Sequence, residues 1–574
     1  MNKKYHIYYL QTSIIAFFVL LILIITPHTV LSQEQKADLR YMHNETVDDE
    51  YVPMLAKDKK TSPAYRSRSS NFYTIQVNVD DNGDNILGDA GNEPSIAVDP
   101  ANPENIVIGW RQFDHVSSNF RQAGYSYSTD GGLSWTFPEP IEAGIFRSDP
   151  VLDFDNEGNF YYNSLTKDAS SNYWCDVFKS ENGGAEWDEG TYAFGGDKQW
   201  MKIDKTNGIG DGNIYEFWNS SYSSCFPGSY TRSTNGGDDY DDCDGIPGDP
   251  YWGTIAVGPD GEMYLVGAPG GPGLVVAKSI TAQDPGSQTT WETPSYVDMD
   301  GNLSGWRPVN PAGLLGQSYI DVDVSDGPGR GNVYVLAAVM RDNDDPGDIM
   351  FARSTDGGVT WDDAVQVNDD FSPSVCQWFG TMSVAPNGRI DAVWLDTRNA
   401  PGVNEFMSEL YYSYSIDQGV TWSQNEKLSD AFDPHLGWPN QQKMGDYFHM
   451  VSGNDGAHLA WANTLNGEQD VYYGFINPWF VGVDEKQDNR LSFINYPNPV
   501  SSTTTFRYFL NEEGTTKVAV YDVCGNLVDV VLHENQKTGT HNIVYDASSL
   551  PAGVYYCELT LGKVTETIKL IRIE

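Results

Sequence analysis

One short phrase recurs along the 574-residue chain and restricts what it can fold into. It reads Ser128-Thr129-Asp130-Gly131-Gly132-Leu133-Ser134-Trp135, then Ser180-Glu181-Asn182-Gly183-Gly184-Ala185-Glu186-Trp187. It returns as Ser354-Thr355-Asp356-Gly357-Gly358-Val359-Thr360-Trp361 and Ser415-Ile416-Asp417-Gln418-Gly419-Val420-Thr421-Trp422, with a weaker copy over 233–240 around Asn235. In such a string Asp or Asn bonds its own backbone, Gly takes the φ > 0 positions, and the aromatic residue packs under the turn. Each copy is predicted to be a tight turn between strands, and the repetition predicts a modular, all-β fold. Asp130, Asn182, Asn235, Asp356 and Asp417 therefore read as structural turn-formers, because a local side-chain to backbone bond accounts for them.

The phrase resembles the Asp box, or BNR repeat, of sialidase-like β-propellers. Seven stretches along the chain read as apolar hairpins: 96–110, 151–164, 201–219, 254–267, 319–338, 381–396 and 448–463. A third strand such as 348–353 and a fourth such as 364–368 complete each cycle. The cycles predict a seven-bladed propeller, with six blades, the number in familiar sialidases, as the alternative. The last cycle lacks a fourth strand, and 73–78 is predicted to supply it, removing an exposed sheet edge.

Lys3 and Lys4, an apolar run over 14–25, and Val30-Leu31-Ser32 before Gln33 predict a signal peptide over 1–32. The run is shorter than the about 20 residues an anchor needs, so no stable transmembrane segment is expected after its removal. Residues 33–70, polar and of mixed charge, predict a flexible leader, followed by the propeller over 71–480 and a linker over 481–491. Within 492–574, Tyr496-Pro497-Asn498-Pro499, Val518-Ala519-Val520-Tyr521-Asp522, Leu550-Pro551-Ala552-Gly553-Val554-Tyr555-Tyr556 and Lys569-Leu570-Ile571-Arg572 read as a small β-sandwich. Together they resemble the type IX secretion sorting domain of the Bacteroidetes. That resemblance implies the type IX machinery as a partner and an extracellular or outer-membrane surface location. Export permits disulfides: Cys225 with Cys243 is the best candidate pair, Cys524 with Cys557 another, and Cys175 and Cys376 have no obvious partner. The formal net charge of -45 disfavours nucleic acid and anionic bilayers as partners.

In a propeller the boxes occupy one face, and ligand sites lie on the other, among the loops that lead into each blade and those joining its second and third strands. The register puts carboxylates, guanidiniums and indoles there, which suits a glycan or polysaccharide ligand. The sialidase resemblance implies arginines clamping a carboxylate, for which Arg111, Arg147, Arg307 and Arg398 are the candidates. It also implies Asp114 or Asp149 as acid and Tyr447, with Tyr251 as a second choice, as nucleophile. Trp200, Trp252 and Trp378 are the candidate stacking residues. Three arginines converging beside a Tyr–Glu pair would favour a hydrolase; scattered arginines would favour a non-catalytic adhesion or glycan-binding module. A third reading, a propeller-type polysaccharide lyase, rests on His115 near Arg111 and Arg121, or His435. No cofactor is required. A structural calcium ion is suggested by Asn78, Asp80, Asn82 and Asp84 around Gly83, which also read as a polar hairpin turn.

Overall fold

The computed structural model describes residues 47–478 and 492–573, except 56, 342–344, 371, 403, 511–512, 524 and 563. The expected signal peptide, the first part of the leader and the 481–491 linker lie outside the described residues.

Among the described residues, seven antiparallel sheets follow one another along the chain. They begin with strands Ala90–Val98, Ser148–Phe154, Trp200–Ile203, Ile255–Val257, Tyr319–Val322, Gln377–Val384 and His449–Ser452. Each sheet grows outward strand by strand, as in Ser148–Phe154, Phe160–Lys167, Tyr173–Ser180 and Thr191–Tyr192. The first strands touch one another in cyclic order, and the seventh returns to the first, so they form the inner wall of a β-propeller. Their apolar runs are buried on both faces, because each blade stacks on two neighbours.

The ring is sewn shut by Phe72–Gln76, which pairs with Asp470–Ile476 and sets Ile75 opposite Tyr473. This joins positions about 400 residues apart and leaves the last blade no bare inner-to-outer gap. The 33–70 leader needs correction over its described part. Thr61–Pro63 pairs with Asp84–Ile86, and Arg66–Arg68 extends the seventh sheet by pairing with Phe72–Gln76. Its polar residues find partners only in the closed ring, which local polarity does not reveal.

Each Asp-box turn is built the same way. In the first, Gly132 N donates to Ser128 Oγ at 2.9 Å, Leu133 N and Ser134 N donate to Asp130 Oδ1, and Gly131 and Gly132 have φ of 70° and 84°. The second glycine also admits a neighbour: Tyr473 of the seventh blade lies against Gly132, and Phe351 of the fifth lies against Gly419 in the sixth. Trp135 meets Tyr473 at 5.4 Å and Trp422 meets Phe351 at 5.1 Å, so the boxes wedge each blade against the one before it.

The C-terminal domain is a sandwich of a three-stranded sheet, Ser492–Tyr496, Thr503–Leu510 and Gly539–Asp546, on a four-stranded one. Phe506, Tyr508, Val518, Val520, Cys557 and Leu559 fill the space between them. Cys225 and Cys243 form a disulfide; Cys175, Cys376 and Cys557 are buried free thiols, and Cys524 lies outside the described residues.

Candidate functional site

A conformational repeat marks the face opposite the boxes. At the start of each first strand the backbone turns to positive φ: Glu93 (52°), Asp149 (47°), Lys198 (56°), Trp252 (59°), Gly316 (134°), Phe379 (55°) and Gly445 (92°). Register shifts accompany it at Asn92/Ser95, Ser148/Val151 and Trp378/Thr381. Such bulges re-aim side chains, and non-glycine residues in this region are held there only by surrounding structure.

The re-aimed side chains meet in a buried ionic cluster. Lys198 Nζ lies 3.0 Å from Asp446, 3.1 Å from Asp197 and 3.5 Å from Asp149. Lys443 Nζ bridges Asp446 at 2.8 Å and Glu93 at 3.5 Å, and Arg111 Nη2 reaches Glu93 at 3.2 Å. Burial pushes the Glu93 carboxyl up to about 8 despite Arg111 and Lys443. Burial alone would raise Asp446 too, but Lys198, Lys443 and Arg111 hold it well below the usual carboxylate range. Burial also opposes the Lys198 ammonium, yet Asp149, Asp197 and Asp446 keep it charged. Four carboxylates, Glu93, Asp149, Asp197 and Asp446, thus meet three cations, Arg111, Lys198 and Lys443, away from solvent.

A hairpin straps this cluster. Gly305–Arg307 pairs with Asn310–Leu314 ahead of the fifth blade, yet it is pinned to the seventh. Leu314 N donates to Asp446 Oδ1 at 2.8 Å, Asn310 Nδ2 donates to Gly445 O at 2.8 Å, and Met444 N donates to Asn310 Oδ1. Beside the strap, His435 Nε2 approaches Pro308 O at 3.0 Å, and its ring packs on Phe406 and Trp438, each at 4.6 Å. Phe406, His435 and Trp438 thus form a half-buried aromatic rim beside the strap, and Trp306 within the strap, also half-buried, packs on Trp252 at 5.9 Å.

The residues expected from sequence fall into separate places. Asp149 and Tyr447 join the cluster; Tyr447 donates its hydroxyl to Pro150 O at 2.8 Å, and burial together with Glu93 and Asp149 pushes its hydroxyl far up. Asp114 sits elsewhere, accepting from Gln122, its carboxyl raised by burial and partly lowered by the Met54 amide and His115. Of the arginines only Arg111 enters the cluster. Arg147 pairs with Glu142 and Asp176, Arg398 with Asp396, Asp369 and Asp370, and Arg307 bonds Ser304 Oγ at 3.0 Å. Each therefore serves a different carboxylate set or loop. Trp200, Trp252 and Trp378 are at most 3% exposed, so they pack the inner ring and present no stacking surface. Trp200 lies edge-on to Tyr447 at 5.5 Å, Trp252 lies 5.0 Å from Tyr251, and Trp378 donates to Ser408 Oγ. The suggested calcium residues do not converge: Asn78 donates inward to Asp470, whereas Asp80 accepts from the amides of Asn82 and Asp84 and caps its own hairpin. Lys443 and the rim residues Trp306 and Trp438 were not among the sequence candidates. Lys443 had only a weak signal, its spacing of three from Asp446 across Gly445.

Comparison with known proteins adds the following. Residues 495–574 match the family model described as the secretion system C-terminal sorting domain. No curated protein matches the sequence. Among solved structures, a protein of unknown function from Dyadobacter fermentans is similar at 12% identity, covering 70% of this chain and 97% of that chain with a TM-score of 0.39. Hadza microbial sialidase Hz136 is similar at 12% identity over 68% of this chain and 66% of its own, with a TM-score of 0.37. Trypanosoma rangeli sialidase with the inhibitor DANA is similar at 11% identity over 88% and 89%, with a TM-score of 0.35. No helix among the described residues is long and apolar enough to cross a membrane. The matched C-terminal domain identifies the chain as cargo of type IX secretion, bound for the cell surface or the extracellular space.

Proposed function

We propose that this exported propeller is a glycan-binding surface module whose ligand lies on the strap face, against the aromatic rim of Trp306, Phe406, His435 and Trp438. The observation that carries this reading is the dispersal of the arginines: Arg147 and Arg398 are each consumed by their own carboxylates, leaving no shared clamp for a substrate acid group. Tyr447 fits a nucleophile poorly, since its hydroxyl is committed to Pro150 O and far from ionising. The rim suits sugar rings, because its partly exposed indoles give stacking area. A hydrolase is the second reading, favoured by one observation. The Glu93 and Asp446 carboxyls are pushed in opposite directions within one cluster, the pattern an acid and a base require.

The test is a panel of sialosides, uronate polysaccharides and neutral glycans applied to the full secreted chain, scored for binding and for product release. Binding without turnover, weakened at least tenfold by W438A, is the expected result. Turnover abolished by E93Q would replace the binding reading with the hydrolytic one; neither binding nor turnover would end both.

A further inference from the structure

Away from the channel, residues 47–51 run into a prepared cradle between the first two blades. Asn119, fully buried, grips the segment by both ends of its amide: Nδ2 donates to Val47 O at 2.9 Å, and Oδ1 accepts from Asp49 N at 2.7 Å. Asn119 N in turn donates to Asp49 Oδ2 at 2.9 Å. Asp48 spans two cations, with Oδ1 3.0 Å from Arg121 Nη1 and Oδ2 on Lys167 Nζ. Both cations sit over the Phe146 ring, at 4.6 Å and 4.7 Å, and Tyr51 packs on Phe120 at 5.2 Å.

The receiving side belongs to the propeller, and its two cations have supports besides the segment: Lys167 Nζ also lies over the Tyr173 ring at 5.5 Å. Arg121, 1% exposed, is fixed by Ser148 Oγ through Nε at 3.1 Å and by Asn119 O. Gly144 leaves room for the Tyr51 ring, which a side chain there would meet. Two adjacent cations are unusual on a chain with 80 acidic and 35 basic residues, and they are aimed at one carboxylate. Val47, the first described residue, is itself 94% exposed. Nothing in the contacts requires the occupant to be covalently joined to the propeller.

We propose that the Asn119–Arg121 loop, Phe120, Phe146 and Lys167 form a receptor for an extended acidic peptide. In the resting chain its own 47–51 segment fills it, and a peptide of the same chemistry enters in trans when that segment is displaced. The occupant seen is peptide, clasped through its backbone amide and carbonyl as well as its carboxylates, which favours a peptide over an acidic sugar.

The experiment titrates a fluorescent peptide of residues 46–52 into the full chain and into D48A, which opens the cradle. Apparent affinity for D48A at least tenfold above wild type is expected, with loss on adding K167M or on replacing both peptide aspartates by asparagine. D49A, which loosens only the Asn119 clasp, substitutes if D48A does not fold. A folded variant that ignores the peptide overturns the proposal, because a purely structural latch predicts destabilisation without binding in trans. Preferential capture of oligogalacturonate over the peptide overturns it as well.

Discussion

The box rim and the channel mouth use the same materials, carboxylates close to left-handed backbone, to opposite ends. On the box rim Asp356 lies in solvent among donors no more than four residues away, and the Thr360 hydroxyl and amide lower its carboxyl to about 2. At the mouth Glu93 is fully buried among groups from distant blades and is raised to about 8. Acidity here follows solvation and partners, not residue type. The rim carboxylates are spent on holding turns; those at the mouth are balanced against cations and sealed under a strap.

The comparison breaks most visibly at Asp446. D446A leaves Lys198 and Lys443 short of a shared anion and the Leu314 amide without its acceptor, so unfolding in urea should show a loss of about 3–5 kcal/mol. G419A tests the rim's other ingredient: with φ of 78° and Phe351 against the new methyl, a loss of about 2–3 kcal/mol is expected by the same measurement. A loss of only a few tenths would mean that the turn and the blade before it are not locked together. D356A removes only exposed local bonds and should lose no more than about 1 kcal/mol.

Acid dependence sharpens the contrast in sign. Glu93 has a folded value above its unfolded one, so the native state keeps a proton the unfolded chain releases. Its favourable contribution is complete below the ordinary glutamate value and is lost as pH rises toward about 8. Asp470, raised by burial to about 7, acts in the same direction. Asp356 is lowered, so its contribution is present above the usual aspartate range and disappears only as pH falls toward about 2. E93Q should therefore flatten the decline in stability between pH 5 and 8, and D356N should leave that window unchanged; identical slopes for E93Q and wild type would contradict the raised Glu93 carboxyl.

How far the sequence could be read depended on the range of the interactions. Asp130 and its turn were legible because Ser128, Gly132 and Ser134 all lie within four residues. The closing strand was legible in kind, since an unpaired last blade needs an edge partner, and Ile75 does face Tyr473. Asp149 and Tyr447 could be placed on the correct rim by counting strands, but not assigned neighbours. Arg147 and Arg398 were misleading for the same reason: a guanidinium on a loop looks available until the carboxylates across from it, Asp176 and Asp369, are in place. Trp200, Trp252 and Trp378 looked like stacking platforms because burial at the start of a first strand depends on the ring closing around it.

The sequence alone determined the repeating turn, the succession of sheets and the exported C-terminal sandwich, because periodic apolar strands and glycine-bearing turns are encoded within windows of about ten residues. Only the tertiary structure decided which ions meet. Glu93, Asp149, Lys198 and Asp446 come from four different blades, their encounter is produced by ring closure and by a backbone twist repeated at each inner strand, and their charges depend on the water that closure excludes.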